Sequence, residues 1–171
     1  MDLSPLLPSP SPGIVNLLVV NPAGSRHLYG YNPDPGLLEL RRVLDSSIRH
    51  PFDHGFVPNT RVASSGPLAA MVITSEPIFS GCLVRARPIG LLELVEDGAN
   101  HVTLLCIPEA DSRQNAIRSI RQIAPVQLEE VAEFFRTYKS MEGRVVEILD
   151  WLDVDAVPAL IERCSAAAQK A

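Results

Sequence analysis

Short apolar runs broken by glycine, proline and aspartate dominate the first two-thirds of the chain. IVNLLVV at 14–20, HLYGY at 27–31, LLELRRVL at 37–44, LAAMVITS at 68–75, GCLVRARPIGLLELV at 81–95 and HVTLLCIP at 101–108 are rich in Val, Ile and Leu. Runs of this length between turn residues predict strands. The turns are NPAG at 21–24, NPDPG from Asn32 to Gly36, and EDGAN from Glu96 to Asn100, while Gly81 lets the chain turn before the longest run. A parallel α/β layout needs a helix between successive strands, and the spacing is too tight for one. The first two-thirds is therefore expected to be a compact antiparallel barrel or sheet.

The period changes in the last third. In PVQLEEVAEFFRTYKS at 125–140, Val126, Val131, Phe134, Phe135 and Tyr138 recur at helical spacing. Pro125 fits near the start, Glu129 and Glu130 suit the positive end of the helix, and Lys139 suits the negative end. RVVEILDW at 144–151 is predicted as a strand. A final helix follows, with Asp155 as its cap, Pro158 in its first turn, and Val157, Leu160, Ile161 and Cys164 facing inward. The expected fold class is mainly β with flanking helices (α+β), in a single domain over residues 14–171. Residues 1–13, MDLSPLLPSPSPG, carry four prolines that fix φ and remove N–H donors, so they are expected to form a flexible, untethered N-terminal arm.

Composition narrows the function classes. A chain of 171 residues suits one domain with a sizeable core; 46% hydrophobic and 20% charged residues read as globular, and 5% aromatics imply a mainly aliphatic core. A formal charge of −5 argues against nucleic-acid binding, since no broad cationic footprint is visible. No run is long enough to span a membrane and no leader pattern opens the chain, so a cytoplasmic protein is expected. Thirteen of the fifteen basic residues are Arg. That bias suits planar oxyanion recognition, although ordinary surface usage or coding preference produces it equally well. Cys82, Cys106 and Cys164 lack CxxC spacing, and Cys82 and Cys106, set in apolar strand-like runs, read as buried thiols rather than ligands.

Four stretches in order carry a more specific signal: VVNPAG at 19–24, IRHPFDHGFVPNT at 48–60, VRARPIGLLELVEDG at 84–98 and FFRTYKSMEG at 134–143. Together they resemble the soluble family I inorganic pyrophosphatases over residues 14 to 168. The resemblance implies an OB-like five-stranded β-barrel of the inorganic pyrophosphatase type and a homo-oligomer, with a hexamer built from trimers usual among bacterial members. It also implies a phosphate or diphosphate-type ligand held with Mg²⁺ by an acidic cluster. In that chemistry the metals activate water and draw charge from phosphoryl oxygens, and hard cations of this kind demand oxygen donors.

Carried over residue by residue, the family pattern is incomplete. Its DGDPxD loop falls on Ser64, Ser65, Gly66, Pro67, Leu68 and Ala69, so the ligand positions Ser64, Gly66 and Ala69 hold no carboxylate. Val20, Leu28 and Gly30 stand where charged residues are implied, His101 near a later Asp, Thr103 for a Lys, and His50 and His54 for two tyrosines. Glu96 keeps an acid, with Asp97 beside it. Arg42, Tyr138 and Lys139 survive as a candidate anion site, a fork, a hydroxyl donor and a point charge. Plain solvated or helix-end roles account for the same three residues.

His50, His54 and His101, with Asp53, Glu96 and Asp97, contain the atoms for a rebuilt site, and imidazoles would favour a transition metal over Mg²⁺. No cofactor follows from the residues alone, and Mg²⁺ is implied by resemblance only. The expected function is a divergent pyrophosphatase-like protein with little or no Mg²⁺-dependent diphosphate hydrolysis, retaining a phosphate-type anion site. The alternatives are an active diphosphatase with a rebuilt metal site, and a non-catalytic scaffold or partner-binding subunit using the arm and the uncharged 64–70 surface.

Overall fold

The computed structural model describes residues 1–44, 47–63 and 66–169. Eight strands run in chain order as β1 (Val15–Asn21), β2 (His27–Asn32), β3 (Leu37–Val43), β4 (Asp53–Val62), β5 (Gly66–Val72), β6 (Leu83–Glu96), β7 (Ala99–Pro108) and β8 (Val146–Asp153). Helix α1 (Pro125–Ser140) precedes β8, and α2 (Val157–Ala168) ends the chain. Strands β1, β4, β5, β7 and β6 follow one another in hydrogen-bonded order, and β6 pairs back with β1, closing a ring of five strands. Strands β2 and β3 form a separate hairpin, joined by the predicted Asn32–Gly36 turn.

Every pair in the ring is antiparallel except β5 with β7, which is parallel. The expectation of a purely antiparallel barrel is corrected here. After β5 the chain crosses the end of the barrel to start β6, and β7 returns into the gap that this crossing leaves. Long β6 has two partners along one edge: β1 pairs with Leu83–Ala86, and β8 takes over from Gly90 to Glu96. Glycine is required where β4 meets β1, because a Cβ on Gly55 would lie 1.9 Å from the carbonyl oxygen of Leu18.

Side-chain alternation splits the core in two. Leu17, Val19, Val57, Leu68, Ala70, Leu104 and Cys106 fill the barrel interior, closed at one end by Val157, Leu160 and Cys164 of α2. On the other face Met71, Leu92, Leu105 and Ile107 receive Val131, Phe134 and Phe135 of α1. Each fully buried aliphatic side chain of this kind stabilises by roughly 1.5–3 kcal/mol. Cys106 and Cys164 are buried as expected, and Cys82 is half-buried.

Three local expectations change. Val126 is 64% exposed, because it sits in the first turn of α1 before the helix reaches the barrel. Asp155 does not cap α2: Asp153 caps a preceding 3-10 turn through the Val154 N–H, and α2 starts from Ala156 without a side-chain cap. The N-terminal arm is not untethered. Asn59 Nδ2 donates to the carbonyls of Leu3 and Leu6, Asn16 Nδ2 to that of Leu7, and Tyr31 Oη to that of Met1, while Leu3 is buried. Prolines leave its carbonyls free to accept, and the barrel supplies the donors. No helix among the described residues is long and apolar enough to cross a membrane.

Candidate anion-binding cavity

A cavity of about 490 Å³ opens between the barrel wall, the β2–β3 hairpin and the last turns of α1. Arg42 reaches it from β3, Glu96 from the end of β6, and Tyr138 and Lys139 from α1. The polar groups form one charge network. Lys139 Nζ donates to Glu96 Oε1 at 3.0 Å, and Arg144 donates to the same oxygen. Arg42 Nη1 donates to Glu142 Oε1 at 3.1 Å, and Lys139 lies 3.8 Å from the other oxygen of Glu142. Lys139 also sits 4.9 Å over the Tyr138 ring. Three cations therefore meet two carboxylates.

Protonation follows from these contacts. Burial pushes the Glu96 carboxyl upward, but the hydrogen bonds from Arg144 and Lys139 outweigh it and leave the pKa below the usual carboxylate range. Burial raises the Tyr138 phenol to about 12, so at neutral pH it is a hydroxyl donor. Arg42, Tyr138 and Lys139 thus line one cavity, and Arg42 and Lys139 are engaged there with acids of the chain.

His50 and His54 line the same cavity against an aromatic wall: His50 lies 4.8 Å from Phe134 and stacks at 6.1 Å on His54, which meets Phe135 edge-on. Both ring nitrogens of His50 and Nε2 of His54 are buried without a hydrogen-bond partner among the described residues. Burial lowers His50 from its usual 6.5 to about 4; burial, then the charges of His50 and Lys139, lower His54 to about 3. Both rings are neutral at ordinary pH.

Of the other members of the candidate rebuilt site, Glu96 and His101 line the cavity, whereas Asp53 and Asp97 do not. Asp53 is fully buried away from the cavity, accepting from the Ala23 and Ile78 N–H groups and the Thr74 hydroxyl. Asp97 sits in the β6–β7 turn with φ 49° and accepts from the Val145 N–H, which ties that turn to the start of β8. His101 lines the cavity, 3.8 Å from Glu96. Ala69 lines it too, Gly66 starts β5 outside it, and Ser64 lies outside the described residues.

The described carboxylate donors of the cavity are engaged within the chain. Among the described residues no group of three or more His, Cys, Asp or Glu side chains is placed to hold a metal ion. The cavity carboxylates are occupied by Lys139, Arg144 and Arg42, and the two stacked rings offer nitrogen where a hard cation needs oxygen.

Sequence reasoning missed several residues. Glu142 stands three after Lys139 on the helix end, a spacing that could have flagged it; nothing local marks Arg144 as a partner of Glu96. A second cleft, about 680 Å³, shares Asn21, Tyr29, His54, Pro67 and Ala69 with the cavity and continues past Tyr31 and Phe56 to Leu3 and Ser4 of the arm. Val20 and Gly30 line it, which makes the positions implied to be charged an uncharged wall.

Closed barrel and side hairpin define a mainly β protein with a cation-bordered cavity on one side. The chain belongs to the inorganic pyrophosphatase family, whose sequence pattern it matches over residues 18–169. It is 46% identical over 164 residues to an inorganic pyrophosphatase of Synechocystis, covering 96% of this chain and 97% of that protein, and 44% identical over 163 residues to one of Nostoc, covering 95% and 96%. The crystal structure of the Thermus thermophilus inorganic pyrophosphatase superposes with a TM-score of 0.90 at 29% identity, over 96% of this chain and 97% of that one. The expected loss of activity draws no support from these likenesses.

Proposed function

We propose that this chain is an anion-binding member of the inorganic pyrophosphatase family, taking diphosphate or a diphosphate-bearing compound at Arg42, Tyr138 and Lys139, with Mg²⁺-dependent hydrolysis reduced to near background. One observation carries the second half: Glu96, the acid retained from the family pattern, is neutralised by Lys139 and Arg144 instead of standing open to a metal. An anion entering the cavity meets donors that are already assembled, and it displaces carboxylates of the chain rather than water alone.

A second reading, hydrolysis of diphosphate to two phosphates, is favoured by relatives that are 46% and 44% identical over nearly their whole length and are named inorganic pyrophosphatases. One experiment separates the two: phosphate release from diphosphate with and without Mg²⁺ and chelator, run beside calorimetric titration with diphosphate in metal-free buffer. Binding without Mg²⁺-dependent turnover supports the first reading; turnover at the level of the relatives, abolished by chelation, establishes the second. A homo-oligomer in the cytoplasm belongs to the proposal by family membership, and the exposed Phe79 and Val145 suit subunit contacts, checked by light scattering.

A further inference from the structure

The anion cavity is smaller than the cleft it opens into, and the two differ in character. Tyr29, Tyr31 and Phe56 line the larger cleft, with the Tyr31 and Phe56 rings 6.0 Å apart and tilted by 38°. Its floor at Val20, Gly30 and Ala69 is uncharged. Arg41 lines the anion cavity and packs over Gly30 of the larger cleft, where a Cβ would meet Arg41 Nε at 2.9 Å. At the junction lies His54, whose buried Nε2 has no partner among the described residues. An unbonded buried nitrogen costs free energy that a ligand can recover. Asp2 lines the aromatic lobe, so a phosphate group is repelled from that lobe and drawn toward Arg42 and Lys139.

Inorganic diphosphate alone fills neither the aromatic lobe nor the bonding capacity of His54. We infer that the ligand of this site is a phosphorylated compound with a planar aromatic ring, of the nucleoside diphosphate class, its ring against Tyr31 and Phe56, its phosphates at Arg42 and Lys139, and a polar atom on His54 Nε2. The inference rests on the anion reading above and extends it to the rest of the ligand.

The test is calorimetric titration of the full chain in metal-free buffer with three probes, ADP, adenosine and inorganic diphosphate, repeated on Phe56→Leu and Tyr31→Leu. ADP should bind at least about tenfold more tightly than diphosphate, the scale of one base–aromatic stack. Either variant should bring ADP to within about threefold of diphosphate and leave diphosphate affinity unchanged, which also shows that the variant is folded. Equal affinity for ADP and diphosphate in the unaltered chain overturns the ring lobe and leaves the anion site standing. Adenosine binding as tightly as ADP, or variants that do not touch ADP affinity, also overturn it. No binding of either phosphate compound removes the anion reading itself.

Discussion

Acid should unfold this protein earlier than its carboxylates alone dictate, because His50 and His54 are buried as neutral rings. A group whose folded pKa is depressed binds fewer protons folded than unfolded between the two values, so stability falls as pH falls through that window. For His50 the window runs from its usual 6.5 down to about 4, and for His54 down to about 3. The stabilising contribution of each neutral ring is complete above pH 6.5 and drains away below it. At pH 5 each histidine has cost about 2 kcal/mol relative to pH 8, roughly 4 kcal/mol for the pair. Urea titrations at fixed protein concentration, followed by the fluorescence of the single tryptophan, Trp151 on β8, report this directly. With a slope of about 2 kcal/mol per molar, the urea midpoint should fall by about 2 M between pH 8 and pH 5. The comparison of pH 8 with pH 5 stays above the usual carboxylate values, below which Glu96, Asp111 and Asp153, all held lower in the fold, lose their own contribution. His50→Phe keeps a ring against Phe134, removes two unpaired nitrogens, and should halve the pH slope while raising stability at pH 5. A midpoint independent of pH over this range, or an unchanged slope in His50→Phe, would refute the burial argument.

Three further outcomes follow from the hydrogen-bond pattern. Asp53→Ala leaves two backbone N–H groups and a hydroxyl without their acceptor and should cost about 3 kcal/mol or more by urea unfolding, with Asp53→Asn costing less. Glu96→Gln releases Lys139 and Arg144 from a competing charge and should tighten diphosphate binding by about tenfold in metal-free calorimetry, whereas weakened binding would contradict the neutralised role of Glu96. Asn59→Asp keeps a residue type that tolerates φ 55° but turns a donor into a charged acceptor facing the Leu3 and Leu6 carbonyls. Limited proteolysis should then cut within residues 1–13, at a rate at least several-fold above the unaltered chain.

Most strands and α1 were legible because their signals are local: a run of β-formers, a turn residue, a period of 3.6. The EDGAN turn fell where expected because Asp97 and Gly98 both take the positive φ that a tight hairpin needs. What escaped was set by distant partners. Nothing within residues 1–13 announces that Asn59 and Tyr31 will bind their carbonyls, so proline content alone suggested a free tail. The parallel β5–β7 pairing depends on which gap remains open after β6 has crossed, a global property. Arg42, Tyr138, Lys139 and Glu96, singled out by motif, line one cavity, but Arg144 lies 48 residues from the carboxylate it holds, and no motif links them. Asp53 and Asp97 were misassigned because a carboxylate that accepts backbone N–H groups looks, in sequence, like one that could bind a metal.

The seam between β1 and β6 has a consequence for how the chain reaches this shape. Val15 pairs with Ala86, so one of the earliest strands to be synthesised must wait for one of the last of the ring. Until then β1 and β4 can zip together, yet their outer edges stay open and sticky, and β5 lacks the neighbour that only β7 supplies. Such long loops close slowly, and exposed edges invite pairing between nascent copies. Both missing partners come from one hairpin: β6 closes on β1 and β7 on β5, so the ring is complete only once β6 and β7 are in place.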